Sequence, residues 1–218
     1  MRDTVHPPPP DTPATRLRVE GGLVFDGDAP LPQRPSPHQG GTLVPRFLVI
    51  HYTASHGLDD TLDWFTDPES RASAHFVVGR DGRIVQLVPL DRRAWHAGDS
   101  AWQGRVGMNA HAIGIELVNA GRLRASEAGW VSWTGRRVPG DEVGIATHRH
   151  GGAEAGWQDY TEAQLDAVLE LCLALRAAFP LEDVLGHDDI APGRKLDPGP
   201  LFPMAALRAR LFEAGPRD

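Results

Sequence analysis

The sequence lacks three features that would each define a class of protein. It has a single cysteine, Cys172, which excludes an intrachain disulfide and fits a reducing compartment. No segment approaches the ~18 consecutive apolar residues that a membrane-spanning helix needs. The first twenty residues also lack the apolar stretch of a secretory signal peptide. The sequence therefore favours a cytoplasmic protein without a membrane span.

The chain also lacks an excess of basic residues. Its 22 lysines and arginines are outnumbered by 29 aspartates and glutamates, and the net charge is −7. Nucleic-acid binding requires a basic surface, so we expect no nucleic-acid partner. The 218 residues, of which 41% are hydrophobic, suffice for one large domain with a substantial core. We expect a monomer.

Two stretches of the chain show no regular pattern. Residues 1–40 are rich in proline, as in "HPPPP" and "APLPQRPSPHQGG", and predict an extended leader that wraps around the domain or trails from it. Only "LRVEGGLVFDG" within it has the composition of an edge strand. Residues 121–158 have no sustained period and predict a long loop inserted at the mouth of a site. The domain itself is predicted over 41–214.

Strand and helix patterns alternate through that domain. "RFLVIHYT" and "HAIGIELVNAG" predict buried strands, and "SAHFVVGRDGRIVQLVP" predicts a hairpin that turns at Asp81-Gly82. "GLDDTLDWFTDP", "TEAQLDAVLELCLALRAAFP" and "FPMAALRARLF" predict helices. The second helix begins with a capping box formed by Thr161 and Gln164, and it carries Cys172 on its apolar face. We expect an α/β fold with a mixed central sheet flanked by helices.

Two histidines and an aspartate have the character of metal ligands. His51 ends a buried strand, His187 follows a short apolar run, and Asp197 comes ten residues later. Two histidines and one carboxylate form an established zinc set that leaves a position open for water. The spacing alone leaves other interpretations open. His51 can be a hydrogen-bonded core histidine, His187 a cap, and Asp197 a turn residue before Pro198-Gly199.

Glu116 interrupts the apolar strand "AIGIELV". A carboxylate there is costly to bury unless it is paired or belongs to a site. It can act as a general base beside a metal-bound water, or form a structural ion pair with Arg83 or Arg122. The sequence does not decide between these roles.

The remaining histidines and acids are assigned structural roles. The "HRH" of residues 148–150 predicts a solvated loop, with metal binding through His148 and His150 as the alternative, and His75 predicts a satisfied structural histidine. At least one of Asp188 and Asp189 is expected to be a cap or a loop contact.

Six segments in order resemble one enzyme family. They are "FLVIHYTAS", "SAHFVVGRDGRIVQLVP", "AWHAG", "IGIELVNAG", "YTEAQLDAVLELCLAL" and "VLGHDDIAPGRKLDPGPLF". Together they resemble the zinc-dependent N-acetylmuramoyl-L-alanine amidases of the AmpD-like, type 2 family. That family includes phage amidases and is related to the peptidoglycan recognition proteins. The resemblance covers about residues 45–205 and implies a single amidase domain.

The resemblance also implies roles for individual residues. One Zn²⁺ per chain is expected to be held by His51, His187 and Asp197. Glu116 is expected to be the catalytic acidic residue, and Lys195 to stabilise the oxyanion. The residues expected to contact substrate are His96, Asn119, Trp95, Tyr52 and Arg194, the last by a bidentate contact with a stem-peptide carboxylate. A solvated loop arginine is the alternative for Arg194.

The implied reaction is hydrolysis of the amide between N-acetylmuramic acid, or its 1,6-anhydro form, and L-alanine. The substrate is then peptidoglycan or a soluble muropeptide. A peptidoglycan-binding module without catalysis is the alternative, but such a relative is expected to lack a metal ligand, and this chain has all three. For the location, a phage-type lysin or an exported effector remains an alternative to a cytoplasmic enzyme.

Overall fold

The computed structural model describes residues 15–212, so the "HPPPP" stretch lies outside the described residues. The strands are β1 (Leu17–Glu20), β2 (Leu23–Asp26), β3 (Ala29–Pro30), β4 (Gln39–Thr42), β5 (Phe47–Tyr52), β6 (Phe76–Val78), β7 (Ile84–Gln86), β8 (Arg92–Ala94), β9 (Ala101–Trp102), β10 (Arg105–Val106), β11 (Ala112–Leu117), β12 (Arg122–Ser126), β13 (Gly129–Val131), β14 (Val143–Ala146), β15 (Ala155–Gln158) and β16 (Asp183–Gly186). The helices are α1 (Leu58–Thr66), α2 (Glu162–Ala178), α3 (His187–Ile190) and α4 (Met204–Phe212), and single 3₁₀ turns lie at Met108–Ala110 and Gly140–Glu142. None of these helices is long and apolar enough to cross a membrane.

The central sheet has five strands in the order β16-β5-β11-β6-β7. The first four run parallel, and β7 is antiparallel to β6. This confirms the predicted mixed sheet. The apolar runs in β5 and β11 are buried because helices and loops cover both faces of a parallel sheet.

Side chains of β5 alternate between two cores. Leu48 and Ile50 pack in the cluster that contains α2 and α4. Phe47 and Val49 point to the opposite face and pack with Leu185 and Met108. Because successive side chains alternate, His51 points to the same face as Phe47 and Val49.

Several local predictions are confirmed. The hairpin turns at Asp81-Gly82 between β6 and β7, with Gly82 at a positive φ of 81°. Helix α2 begins with the capping box, in which the Thr161 hydroxyl accepts from the Gln164 backbone N–H. Cys172 is fully buried in the main core.

The long loop predicted for 121–158 is wrong. This segment forms a second sheet of four antiparallel strands in the order β13-β12-β15-β14, which we call the small sheet. Its strands are three to five residues long, too short for a period to be visible. The pairing of β12 with β15 also joins residues distant in sequence, such as Arg122 and Trp157.

Residues 15–40 do not trail from the domain, and the strand composition noted in "LRVEGGLVFDG" corresponds to β1 and β2. Strands β1 to β3 form an antiparallel meander that buries Leu17, Val24 and Leu31 in the main core. The Gln86 side chain fixes this meander, because it accepts from the Val24 backbone N–H at 3.0 Å and donates to the Gly22 carbonyl at 3.0 Å. The described part of the Pro-rich stretch is thus a layer of the domain.

Candidate metal centre and active site

Three neighbouring parallel strands end at one edge of the central sheet. The register pairs Glu116 on β11 with His51 on β5, and Gly186 on β16 with Ile50 on β5. His187 therefore follows β16 at the level of His51. Open α/β sheets place ligand sites at the carboxyl ends of their strands, and these three side chains meet there.

Asp197 joins these residues from the loop that follows α3. The Asp188 backbone N–H donates to the Asp197 carbonyl at 3.0 Å, which brings the loop back onto the start of α3. His51 Nδ1 lies 2.9 Å from His187 Nδ1, and Asp197 Oδ2 lies 3.0 Å and 2.9 Å from these two nitrogens. Within residues 15–212 this is the one group of three potential metal-ligating side chains that converges so closely.

Hydrogen bonds to backbone carbonyls fix the tautomers of the two ligand histidines. His187 Nε2 donates to the Ala97 carbonyl at 3.2 Å, so the neutral ring has a lone pair on Nδ1. His96 Nε2 donates to the Ala112 carbonyl at 3.1 Å, so His96 Nδ1 accepts from His51 Nε2 at 3.0 Å. The neutral His51 ring therefore also presents a lone pair on Nδ1.

The charges at this cluster fit a metal cation. Burial, and next the neighbouring His187, lower the pKa of His51 to about 4, so its ring is neutral at pH 7. Burial acts to raise the pKa of Asp197, but its contacts with His187 and His51 outweigh burial and hold it well below the usual value. Two nitrogen lone pairs and a carboxylate oxygen thus face one another in a buried space. A divalent cation satisfies all three, and this donor set suits zinc.

Glu116 lies beside the cluster. Its side chain is buried, and within residues 15–212 its Oε2 has no hydrogen-bond partner. Burial, and next the charge of Asp197, raise its pKa to about 8, while the Lys195 ammonium opposes the shift. Neither Arg83 nor Arg122 acts on it, so the structural ion pair considered from the sequence does not form.

Lys195 brings a positive charge to the same place. It is half-buried in the loop that carries Asp197, and its backbone N–H donates to the Ala191 carbonyl at 3.0 Å. Its charge acts on both Glu116 and His51 and lowers the pKa of each. The ligand cluster, an acid of raised pKa and a cation are therefore adjacent.

His96 lies behind His51, not at an open surface. It is 8% exposed, and its two ring nitrogens bond to His51 and to the Ala112 carbonyl. The ring lies over Gly114, where a Cβ atom would overlap the His96 Cγ. His96 therefore has no free ring nitrogen for the predicted substrate contact. Its position is that of a residue that supports His51.

His75 is the structural histidine that the sequence predicts. Its Nδ1 accepts from the Gly114 backbone N–H at 3.0 Å, and its Nε2 donates to the Arg92 carbonyl at 3.0 Å. His75 thereby joins the start of β6 to β11.

The side chain of Asn119 is also bonded within the protein. It is 1% exposed, and its Nδ2 donates to the carbonyls of Gln158 at 3.0 Å and Asp159 at 3.3 Å. Its Oδ1 accepts from the Gly121 backbone N–H at 2.7 Å. The predicted sugar contact is not supported, because these bonds use the side chain to join β11 to the small sheet.

The other three residues predicted to contact substrate differ in their surroundings. The Tyr52 ring packs against Gly121 so closely that a Cβ there would be 2.5 Å from it. Trp95 is 42% exposed, with its ring 5.3 Å from that of His38. Arg194 is exposed and donates to the Ala97 carbonyl at 2.8 Å and the Asp99 carbonyl at 2.5 Å, so it joins two loops beside the site. Their contacts with substrate stay predictions.

The "HRH" segment lies in a loop with Arg149 and His150 exposed, as predicted, but His148 is buried and all three residues contact Asp188. Arg149 donates to both carboxylate oxygens of Asp188, the residue after His187, and His148 is 5% exposed. Asp189 accepts from the Gly186 backbone N–H at 2.7 Å and caps α3, as expected of one of the two acids. A basic segment at 148–150 and two adjacent acids at 188–189 were the signal for the Arg149 contact, but only the fold shows that these distant segments meet.

Comparison with known proteins agrees with this geometry. A family model described as N-acetylmuramoyl-L-alanine amidase matches residues 41–200. The chain is 35% identical over 180 residues to N-acetylmuramoyl-L-alanine amidase AmiD of Escherichia coli K12, covering 78% of this chain but 55% of that protein. It is 32% identical over 196 residues to 1,6-anhydro-N-acetylmuramyl-L-alanine amidase AmpD of the same strain, covering 80% of this chain and 88% of that protein. The chain thus spans about half the length of AmiD and most of the length of AmpD.

Solved structures show the same fold. A crystal structure of AmpD superimposes with a TM-score of 0.60 at 32% identity, covering 83% of this chain and 94% of AmpD. The E. coli AmiD structure, in complex with the substrate anhydro-N-acetylmuramic acid-L-Ala-D-γ-Glu-L-Lys, superimposes with a TM-score of 0.57 at 31% identity, covering 89% of this chain and 65% of AmiD. The resemblance seen in the sequence is confirmed over residues 41–200. The chain belongs to the N-acetylmuramoyl-L-alanine amidase family.

Proposed function

We propose that this protein is a zinc-dependent hydrolase that cleaves the amide bond between N-acetylmuramic acid and L-alanine in muropeptides. The observation that carries the proposal is the convergence of His51, His187 and Asp197 beside the unpaired carboxyl group of Glu116. A structural metal site is closed by four protein ligands, whereas a catalytic one has three and leaves a position for water or substrate.

The three converging side chains would hold one Zn²⁺ per chain. When bound, Zn²⁺ supplies a Lewis acid that polarises the amide carbonyl and lowers the pKa of water from about 16 to about 7.

Glu116 would move the proton in both halves of the reaction. A pKa of about 8 lies near neutral pH, where a group can both accept and return a proton. Its carboxylate takes a proton from the attacking water as the C–O bond forms. It then gives that proton to the alanine nitrogen as the C–N bond breaks. The products are a muramic carboxylate and a free amino group, with one water consumed.

Lys195 would stabilise the negative charge that develops on the carbonyl oxygen. Its ammonium group acts on both Glu116 and His51, so it lies near the reacting groups. Removal of a single donor of this kind costs ~3 kcal/mol of transition-state stabilisation in enzymes where it has been measured.

The substrate class rests on the relatives. The substrate bound in the AmiD complex is an anhydro-muropeptide, which supports a substrate of that class here. Trp95, Tyr52 and Arg194 are proposed to line its binding site. The cytoplasmic location and the monomeric state stay predictions. A binding module without catalysis is disfavoured, since the ligand set is complete and Glu116 has no structural partner.

The experiment offers intact peptidoglycan sacculi and a soluble anhydro-muropeptide to the purified protein side by side. The metal content is measured first, with about one zinc per chain expected. Mass spectrometry should find the free stem peptide and the anhydro-sugar, and a chelator should abolish both. A folded, metal-free protein with full activity would contradict the zinc mechanism. A zinc-loaded protein that binds but never cleaves either substrate would identify a binding module instead.

A further inference from the structure

We propose that Asp188 is a positioning residue for the metal centre, held by residues 148–150 in the loop between strands β14 and β15 of the small sheet. We call this set of contacts the Asp188 clamp: His148, Arg149 and His150 on Asp188. The inference rests on the proposed zinc site. It assigns the small sheet a specific task, which is to fix the half of the centre that His187 and Asp197 supply.

The backbone of Asp188 lies between the two ligands of that half. It follows His187 directly, and its N–H donates to the Asp197 carbonyl at 3.0 Å. The chain is also tightly packed at this crossing, because a Cβ on Gly186 would lie 2.7 Å from Pro198 Cδ. A shift of Asp188 therefore moves both ligands.

The carboxylate of Asp188 is paired with side chains of residues 148 and 149. Arg149 Nε donates to its Oδ2 at 2.8 Å and Arg149 Nη2 to its Oδ1 at 2.5 Å, a bidentate pairing. His148 Nε2 lies 3.0 Å from Oδ2. Asp188 is 2% exposed, so this pairing satisfies a buried charge.

The clamp also contacts the backbone on both sides of the ligand loop. His150 Nε2 donates to the Asp188 carbonyl at 3.0 Å, and His148 Nε2 lies 3.2 Å from the Leu196 carbonyl, next to Asp197. The His148 ring is stacked on Trp157 of β15, with ring centroids 5.8 Å apart. The small sheet is thus connected rigidly to the residues adjacent to His187 and Asp197.

Loss of the clamp should therefore loosen the ligands more than the fold. Without Arg149, a buried carboxylate loses its cation, and the loop must move to expose it. Groups that orient metal ligands typically change metal affinity by 10–100-fold when removed. The main core, built on β5, β11 and α2, does not include the clamp residues.

The test measures the Zn²⁺ affinity of the purified protein, without substrate, by competition with a chelator of known affinity. Asp188→Asn and Arg149→Ala should each weaken Zn²⁺ binding 10–100-fold. The double variant should weaken it less than the product of the two single effects, because both remove the same pairing. Arg149→Lys keeps the charge but not the bidentate fork, so it should give an intermediate affinity and serves if Arg149→Ala does not fold.

Arg80→Ala is the matched control. Arg80 also connects the small sheet to the main domain, by an ion pair with Glu142 at 2.9 Å and a bond to the Asp159 carbonyl at 3.0 Å. Among the described residues, its side-chain hydrogen bonds and ion pair involve no residue next to a metal ligand. This variant should lower the melting temperature of the metal-free protein and leave Zn²⁺ affinity unchanged.

Unchanged Zn²⁺ affinity in folded Asp188→Asn and Arg149→Ala would overturn the inference and leave the proposed function intact. Equal weakening by Arg80→Ala would also overturn it, since the effect would then be one of general stability. If the wild-type protein itself bound no Zn²⁺, the proposed function and this inference would fail together.

Discussion

The two halves of the candidate metal centre are held by different kinds of contact. His51 ends a central strand, and a neutral hydrogen-bonded chain through His96 to the Ala112 carbonyl supports it. His187 and Asp197 come from a short helix and a loop, and the ion pair of the Asp188 clamp lies beside them. A strand in a covered sheet places its last residue mainly by packing, and His96 then orients the His51 ring. A loop between prolines has no such support and needs added contacts.

The two halves of the metal centre should also differ in how salt affects the contacts that hold them. The chain behind His51 contains only neutral groups buried in the core. The Arg149 side chain of the clamp is 44% exposed, so ions in solution screen its pairing with Asp188. The strand half is therefore set by hydrophobic packing and the loop half partly by electrostatics.

The largest effect should come from removing one ligand from either half. His51→Ala and His187→Ala should each lose Zn²⁺ and reduce muropeptide hydrolysis to the level of the enzyme-free control, because two remaining ligands do not hold the metal. Metal analysis and product mass spectrometry measure this, with circular dichroism as the control for folding. A variant that kept one zinc per chain would remove that histidine from the ligand set.

Glu116→Gln should separate chemistry from metal binding. The amide has nearly the shape of the carboxyl group but cannot take up the proton, so turnover should fall by about 10²–10⁴-fold with the zinc content unchanged. Steady-state hydrolysis and metal analysis of the same sample test this. Full activity in the variant would assign the proton transfer to another group.

The raised pKa of Glu116 also predicts a pH dependence of stability in the metal-free protein. The folded-state pKa of about 8 exceeds the ordinary glutamate value of 4.5, so the folded state holds its proton more tightly than the unfolded state. This contribution to stability is fully present below pH ~4.5 and is lost as pH rises through about 8, with a slope of at most ~1.4 kcal/mol per pH unit. Denaturant unfolding across this range should show it in the wild type and not in Glu116→Gln.

The sequence predicts the residues of the candidate site better than the contacts that support them, for a physical reason. His51 and Glu116 stand in continuous apolar strands, where a polar residue is conspicuous and the strand end fixes its place. The Asp188 clamp joins segments about 40 residues apart. A local hydrophobic period does not predict a contact between distant segments. The strands of the small sheet are also too short to show a period.

The resemblance to a family supplied the ligand set, but it did not give the role of every matched residue. His96 and Asn119 were expected near substrate, yet each is buried with its polar side-chain atoms already bonded. Burial and hydrogen bonding are properties of the folded chain. They separate residues that support a site from residues that line it.

His96→Ala should weaken Zn²⁺ binding 10–100-fold, as expected for the loss of a group that orients a ligand. His51 Nε2 would lose its acceptor, and the ring would no longer be held with its lone pair on Nδ1. Chelator competition at low and high salt sharpens the comparison. The difference in affinity between His96→Ala and wild type should not change with salt, whereas that between Arg149→Ala and wild type should shrink. A salt response of the same size in both would mean that the two halves are not held differently.

Gly114→Ala should have the smallest effect and acts on the strand half only. The added methyl group would overlap the His96 Cγ, so the ring must move or the strand must bend. We expect a loss of stability of about 1–3 kcal/mol, typical of overpacking, and a less than tenfold loss of Zn²⁺ affinity.

Gly40→Ala is the control, since a Cβ there has no atom within 4 Å. In the background of His96→Ala the methyl group meets no ring, so Gly114→Ala should then cost much less stability. An equal cost in both backgrounds would show that Gly114 serves the backbone of β11 and not the packing of His96.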